Sequence, residues 1–223
     1  MKRPFIIGVG GTCSNSGKTT TAVLLLRYLA AGRGQQATER CGEDTGNVLS
    51  TLIHPTPGGS GKWGAIKYTK TELYASLVDD KAVLSNKDKD TGRFIDAGAE
   101  DVIWIKSPPQ ALNDFLPMAV GRLSCLDGIV VEGNSAIEFL KPDIVIFTIG
   151  NNKKCWKAGI EEIVSISDII IYENKADLPE ISKTKGLFSR DGSGIKEIQG
   201  FLKLISDLIY ERKTKTRDNE KGC

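Results

Sequence analysis

Short apolar, β-branched runs recur along the chain and alternate with stretches of helical periodicity. The runs predict strands over residues 4–9, 63–68, 101–105, 128–131, 144–149, 169–172 and 186–188. Helical spacing predicts helices over residues 17–31, 91–97, 109–123, 154–165 and 194–212. In the first of these, Val23, Leu26, Leu29 and Ala30 fall on one face, and Gly32-Arg33-Gly34 supplies a stop. Runs such as Gly128-Ile129-Val130-Val131 are apolar throughout rather than alternating, as strands covered on both faces require. The alternation predicts an α/β fold: a three-layer, mostly parallel sheet of about seven strands with helices on both faces.

Two stretches break the pattern. Residues 35–62 show weak periodicity and include Pro55-Thr56-Pro57-Gly58-Gly59-Ser60-Gly61, which reads as a long loop or insertion. Residues 213–223 are almost wholly polar and read as a fraying tail after a single domain over 1–212. Composition narrows the function. The 30 Lys and Arg nearly balance the 28 Asp and Glu, which argues against nucleic-acid binding through net charge. No apolar run approaches a membrane span, and the start does not read as a signal peptide. The 5 cysteines are dispersed without Cys-x-x-Cys spacing, which suits a reducing cytoplasm. His54 has no second histidine, so a zinc or nickel site of the usual kind is poorly supported.

The first predicted strand breaks into Gly10-Gly11-Thr12-Cys13-Ser14-Asn15-Ser16-Gly17-Lys18-Thr19-Thr20 and runs into the first predicted helix. A strand, a glycine-rich loop, Gly-Lys-Thr and a helix in that order form a cradle for nucleotide phosphates. Backbone N–H groups converge on one point, and the helix adds the positive end of its dipole. On this reading Gly11, Thr12, Asn15, Ser16, Gly17, Lys18, Thr19 and Thr20 contact the nucleotide. Lys18 is the catalytic cation at the β/γ-phosphates, and the Thr19 hydroxyl ligates Mg²⁺. The usual spacing places four residues between the first glycine and Gly-Lys-Thr. Thr12 stands at that first position here and Gly11 one residue earlier, so the loop is longer or shifted. The plain alternative is an ordinary strand-to-helix turn with Lys18 in solvent.

A buried strand ending in Val131-Glu132-Gly133 offers the acidic partner. Glu132 is expected at the carboxyl edge of the sheet, where it completes the Mg²⁺ shell or orients the attacking water. Later, Asn174-Lys175-Ala176-Asp177 follows a buried strand. A carboxylate at Asp177 accepts two hydrogen bonds from guanine, a donor pair that adenine lacks. Lys175 can cover the base and Asn174 can tie loops together. Ser189, opening Ser189-Arg190-Asp191-Gly192-Ser193-Gly194, is expected to add contacts to the base. Alternatively, Asn174 and Asp177 merely cap the turn.

Ala65-Ile66-Lys67-Tyr68-Thr69-Lys70, Lys87-Asp88-Lys89-Asp90-Thr91-Gly92-Arg93, Asp96-Ala97-Gly98-Ala99 and Val131-Glu132-Gly133 together resemble the molybdopterin-guanine dinucleotide biosynthesis protein B family. The resemblance runs through Gly133 and omits residues 35–62. It implies a phosphate-loop NTPase fold and a GTP-binding, Mg²⁺-dependent homodimer with slow hydrolysis. Its expected partner is a molybdenum-cofactor nucleotidyltransferase or a molybdoenzyme. It also places Lys67, Lys89, Asp90 and Arg93 in a substrate or second site. A lysine ending a buried strand at the ligand edge can meet a phosphate or a substrate carboxylate. Asp90 and Thr91 could instead cap a helix, with Lys89 and Arg93 solvated. The loop spacing departs from that family and is similar to dethiobiotin synthetase and the cobyrinic-acid-type amide ligases. That likeness implies an ATP-dependent ligase in which Lys67 positions a small acid. The Asn-Lys-Ala-Asp run resembles the nickel-insertion GTPases, against which the single histidine and unpaired cysteines argue. A nucleotide-regulated binding module is a further expectation. No arginine finger can be named from the sequence, so slow turnover is expected.

Overall fold

The computed structural model describes residues 3–31, 61–86, 88–179, 184–191 and 194–221, with 216–221 as helical backbone only. In chain order the elements are β1 (Phe5–Gly11), α1 (Lys18–Ala30), β2 (Trp63–Lys70), β3 (Ser76–Val78), α2 (Lys81–Leu84), α3 (Asp90–Asp96), β4 (Val102–Ser107), α4 (Leu112–Arg122), β5 (Gly128–Glu132), α5 (Asn134–Leu140), β6 (Ile144–Ile149), α6 (Ile160–Ile166), β7 (Ile169–Tyr172), β8 (Gly186–Asp191), β9 (Gly194–Ile195) and α7 (Ile198–Lys221). The strands form one sheet in the order β3-β4-β2-β5-β1-β6-β7-β8-β9. The strands foreseen in the sequence are the parallel ones. β3 adds antiparallel to β4 at one edge, and β9 turns back on β8 at the other.

Central strands carry apolar side chains on both faces because both faces are covered. Ile6, Ile7 and Val9 of β1 are fully buried. On one side Leu25 and Leu26 of α1, Phe94 of α3 and Phe201 and Ile205 of α7 pack with Ile7, Val9 and Val130. On the other, Leu112, Leu116 and Ala119 of α4 pack with Ile6 and Ile129. Ile160 and Ile163 of α6 meet Phe147 and Ile137 on that side. Burying one such Leu or Ile contributes about 1.5–3 kcal/mol. The result is the expected three-layer α/β arrangement, with β1 and the start of α1 in its middle.

Several boundaries differ from the sequence expectation. The helix expected from 154 begins only at Ile160, because Lys153–Cys155 is a 3₁₀ turn and Gly159 has a φ of 77°. Gly194 opens a strand rather than a helix, and α7 continues past Arg212 to Lys221, so much of the polar tail is helical. The (i, i+4) pair Lys215–Glu211, at 2.7 Å, supports that continuation. The short elements β3, β9, α2 and α5 were not foreseen. The expected loop over 35–62 lies outside the described residues except for Gly61 and Lys62, as do His54, Cys41 and Cys223. Among the described residues no helix is long and apolar enough to cross a membrane.

Candidate functional site

β1 ends at Gly11 and α1 begins at Lys18, with residues 12–17 between them. Asn15 and Gly17 both take positive φ, 61° and 95°. Asn and Gly tolerate this region, and backbone that alternates between right- and left-handed conformations forms an anion-holding concavity. Gly17 caps α1 without any side-chain acceptor, and no acidic residue occupies the first turn. The free N–H groups there therefore lack a side-chain partner and carry the positive end of the helix dipole.

Gly11 explains the unusual spacing. A Cβ at this position would lie 2.2 Å from Ser16 Oγ and 2.4 Å from Thr148 Oγ1, so only glycine fits. The Ser16 hydroxyl is turned inward to Thr148 Oγ1 at 2.9 Å. Thr12 is fully buried; its N–H donates to the Thr148 carbonyl at 3.0 Å, and its Oγ1 accepts from Gly150 N at 3.0 Å. The side chains of Thr12 and Ser16 thus frame the loop from below instead of facing its mouth. Asn134, at the start of α5, clamps the same place. Its Oδ1 accepts from Gly11 N at 2.9 Å, and its Nδ2 donates to Gly11 O at 3.1 Å.

Above the frame lies the expected cluster. Lys67, Val9 and Glu132 stand level on β2, β1 and β5, because both partner strands align with the end of β5. Glu132 is 2 % exposed. The Thr19 hydroxyl donates toward its carboxylate at 3.1 Å. The Lys67 ammonium sits 2.5 Å from Glu132 Oε1 and 2.7 Å from Asp90 Oδ2, bridging the two acids. Burial alone would raise the Asp90 carboxyl; the hydrogen bond and charge of Lys67, with Thr19 and Arg93, outweigh it and hold it below its ordinary value. Lys18 reaches back to the Cys13 carbonyl at 2.5 Å and Ser16 Oγ at 3.3 Å. Its pKa is lowered, chiefly by burial and, against the pull of Glu132, by the neighbouring Lys157 and Lys67.

One cavity of about 380 Å³ gathers Asn15, Gly17, Lys18, Thr19, Thr20, Lys67, Asp90, Arg93 and Glu132 from the expected residues, with Ser14 and Arg190 besides. Lys18, Lys67, Arg93 and Arg190 face only the carboxylates of Asp90 and Glu132 there. A pocket with that surplus of positive charge, walled by protein, suits a polyanion. Thr19 and Glu132, with Asp90 alongside, are the hard oxygen donors that Mg²⁺ takes when it shares its shell with phosphates and water. Among the described residues no group of three His, Cys, Asp or Glu side chains forms a metal cage, so such an ion would depend on the ligand's own oxygens.

The remaining expected residues lie elsewhere. Lys89 stacks over the Trp104 ring at 5.4 Å. Asn174 Oδ1 caps its own turn, accepting from Ala176 N at 3.1 Å, and Asp177 Oδ1 pairs with Lys153 at 3.2 Å. Ser189 lies in register with Tyr172 at the ends of β8 and β7. None of Asn174, Lys175, Asp177 and Ser189 lines the phosphate-side cavity. Gly192 and Ser193 lie outside the described residues. Sequence reasoning missed Asn134 and Arg190. Asn134, two residues after Glu132, carried no signal beyond following a strand end; Arg190 stood inside a stretch read only for its backbone.

Fold and loop together define a phosphate-loop fold of the α/β class, the architecture of nucleotide-binding proteins. No family model matches the chain, and no curated protein matches it. Among solved structures it is similar to a LAO/AO transport system kinase, with 13% identity, a TM-score of 0.45, and coverage of 96% of this chain and 60% of that one. It is also similar to LpxK from Aquifex aeolicus in complex with ATP, with 14% identity, a TM-score of 0.36, and coverage of 84% of this chain and 54% of that one. A plasmid partition protein from Borrelia burgdorferi B31 bound to AMPPNP gives 13% identity, a TM-score of 0.45, and coverage of 95% of this chain and 100% of the other. The chain thus spans little more than half the length of the first two. At these scores the likenesses carry no argument about function, which rests on the site itself.

Proposed function

We propose that this chain binds a purine nucleoside triphosphate with Mg²⁺ and hydrolyses it slowly, with guanine preferred. The observation that carries the reading is the uncapped, positively charged start of α1 facing Thr19 and Glu132 in one cavity. Lys18 meets the β- and γ-phosphates by leaving the Cys13 carbonyl that now accepts its hydrogen bond. Thr19 and Glu132 hold the metal, which neutralises charge between the phosphates. Asn174, Lys175, Asp177 and Ser189 receive the base once Asp177 exchanges Lys153 for guanine donors. With the resemblance through the Lys67, Lys87–Arg93 and Glu132 segments, the role that follows is a homodimeric, cytoplasmic accessory factor. It would act beside a molybdenum-cofactor nucleotidyltransferase or a molybdoenzyme in attaching a guanine nucleotide to molybdopterin.

A second reading is favoured by a specific observation. Lys67 lies at the cavity floor between Asp90 and Glu132, where a small acid could be positioned against the γ-phosphate. That would make the protein an ATP-dependent ligase of the dethiobiotin or amide-ligase type. Titration calorimetry of the full chain with GTP and with ATP, each with Mg²⁺, separates the two. At least tenfold tighter GTP binding supports the accessory-factor reading. A preference for ATP overturns it in favour of the ligase, and no heat with either at millimolar concentration overturns both.

A further inference from the structure

Arg190 is the penultimate residue of β8, three strands away from β1 in the sheet, yet its side chain reaches the phosphate loop. A Cβ on Gly17 would lie 2.6 Å from Arg190 Nη1 and 2.8 Å from Cζ, so the guanidinium rests against the backbone at the N-cap of α1. The side chain is only 11% exposed. Among the described residues its anionic partner is Glu173, the residue that immediately precedes Asn174, with Oε1 2.5 Å from Nη2. The buried Nε has no hydrogen-bond partner among them. A guanidinium that served only as a strut would be expected to face its carboxylate fork to fork. A cation beside a helix N-terminus is also opposed by the helix dipole. A buried Nε without an acceptor and a cation at the wrong pole of the helix both call for an anion at this point.

With Gly17, Thr20 and Arg93, Arg190 lines both the 380 Å³ phosphate-side cavity and a neighbouring cavity of about 340 Å³ that runs along α1 past Thr21 and Leu24.

We propose that Arg190 contacts the nucleotide at its phosphate chain, supplying guanidinium donors beside Gly17 at the wall of the phosphate-side cavity. Through Glu173 the same side chain is joined to the residue that precedes Asn174, which holds the guanidinium in place beside the phosphate loop. The inference rests on the nucleotide reading above and adds to it a cation from the opposite half of the sheet. Because the contact is to phosphate, it is indifferent to the base.

The test is calorimetric titration of wild type, Arg190→Gln and Arg190→Lys with GTP, ATP and GDP in Mg²⁺, with melting curves to establish folding. Arg190→Gln is expected to weaken GTP and ATP by the same factor, about tenfold or more, with GDP weakened as well. Arg190→Lys keeps charge and packing but not the planar fork, and is expected to bind with intermediate affinity. It also serves if the Gln variant fails to fold. Wild-type affinity in Arg190→Lys, or in a folded Arg190→Gln, overturns the assignment, as does a loss confined to one base. Absence of nucleotide binding by the wild type overturns the nucleotide reading itself and this inference with it.

Discussion

At the ends of β1, β2 and β5, functional side chains are held by partners far away in the chain. Gly11 is clamped by Asn134 across 123 positions, Thr19 by Glu132 across 113 and Lys67 by Glu132 across 65. At the 174–177 turn after β7 the holding is local or exposed. Asn174 bonds two residues on, and Asp177 is met by Lys153, whose side chain is 57% exposed. The first half is assembled by the fold as a whole and is complete only when the sheet is complete. The second is a turn with its own cap, which on the proposed reading would exchange a surface lysine for a base. On that reading the phosphate half is preformed and the base half adaptable.

Four measurements break or sharpen that contrast. Glu132→Ala strips a buried carboxylate from Lys67 and Thr19. It is expected to lower unfolding free energy in urea by about 1.5–3 kcal/mol, because Lys67 loses one of its two carboxylates while keeping Asp90. A loss below about 0.5 kcal/mol, the level of ordinary surface substitutions, would break the claim that this half is interlocked. On the proposed reading Lys18→Ala removes a charge-assisted contact to the triphosphate and should weaken nucleotide binding by about 1.5–3 kcal/mol; calorimetry with unchanged affinity refutes the role. Asp177→Ala touches only the adaptable half. It should reduce the GTP-over-ATP ratio about tenfold while leaving stability within about 1 kcal/mol, as for a surface pair. A retained preference shows that Asp177 does not read the base.

The smallest effect is a pH dependence. The folded-state pKa of Asp90 is depressed, so its contribution is present above the ordinary carboxylate range and is lost as pH falls through the folded value. Melting temperature is expected to decline slightly further in acid for the wild type than for Asp90→Asn. Parallel acid limbs for the two would show that the Lys67–Asp90 contact adds nothing to stability.

The same contrast explains what could be read from the sequence. The phosphate loop, Glu132 and Lys67 were legible because each sits at the end of an apolar run, and a parallel sheet sends all such ends to one edge. Glu132, Lys67, Asp90 and Arg93 then meet in one cavity although they come from separate segments. Asn134 was illegible because nothing in Gly133-Asn134-Ser135 announces α5 or the amide's turn toward Gly11. Thr12 read as a loop residue because it occupies the glycine's usual place, whereas the strand ladder extends to it through Thr148. Lys89 read with Asp90 and Arg93, but it is the extended residue ahead of α3 and lays its ammonium over Trp104. Arg190 reaches its place only through the packing of β8 beside α1, a relation no local pattern carries. The short elements β3 and β9 are too brief to leave a periodicity.

The Asn134 amide has a mechanical consequence. It grips the N–H and the C=O of Gly11, one in each of two successive peptide groups, and stands two residues after Glu132 in the same chain. Loop floor and acidic oxygen are therefore coupled through the short segment 132–134, so that a disturbance at one is felt at the other.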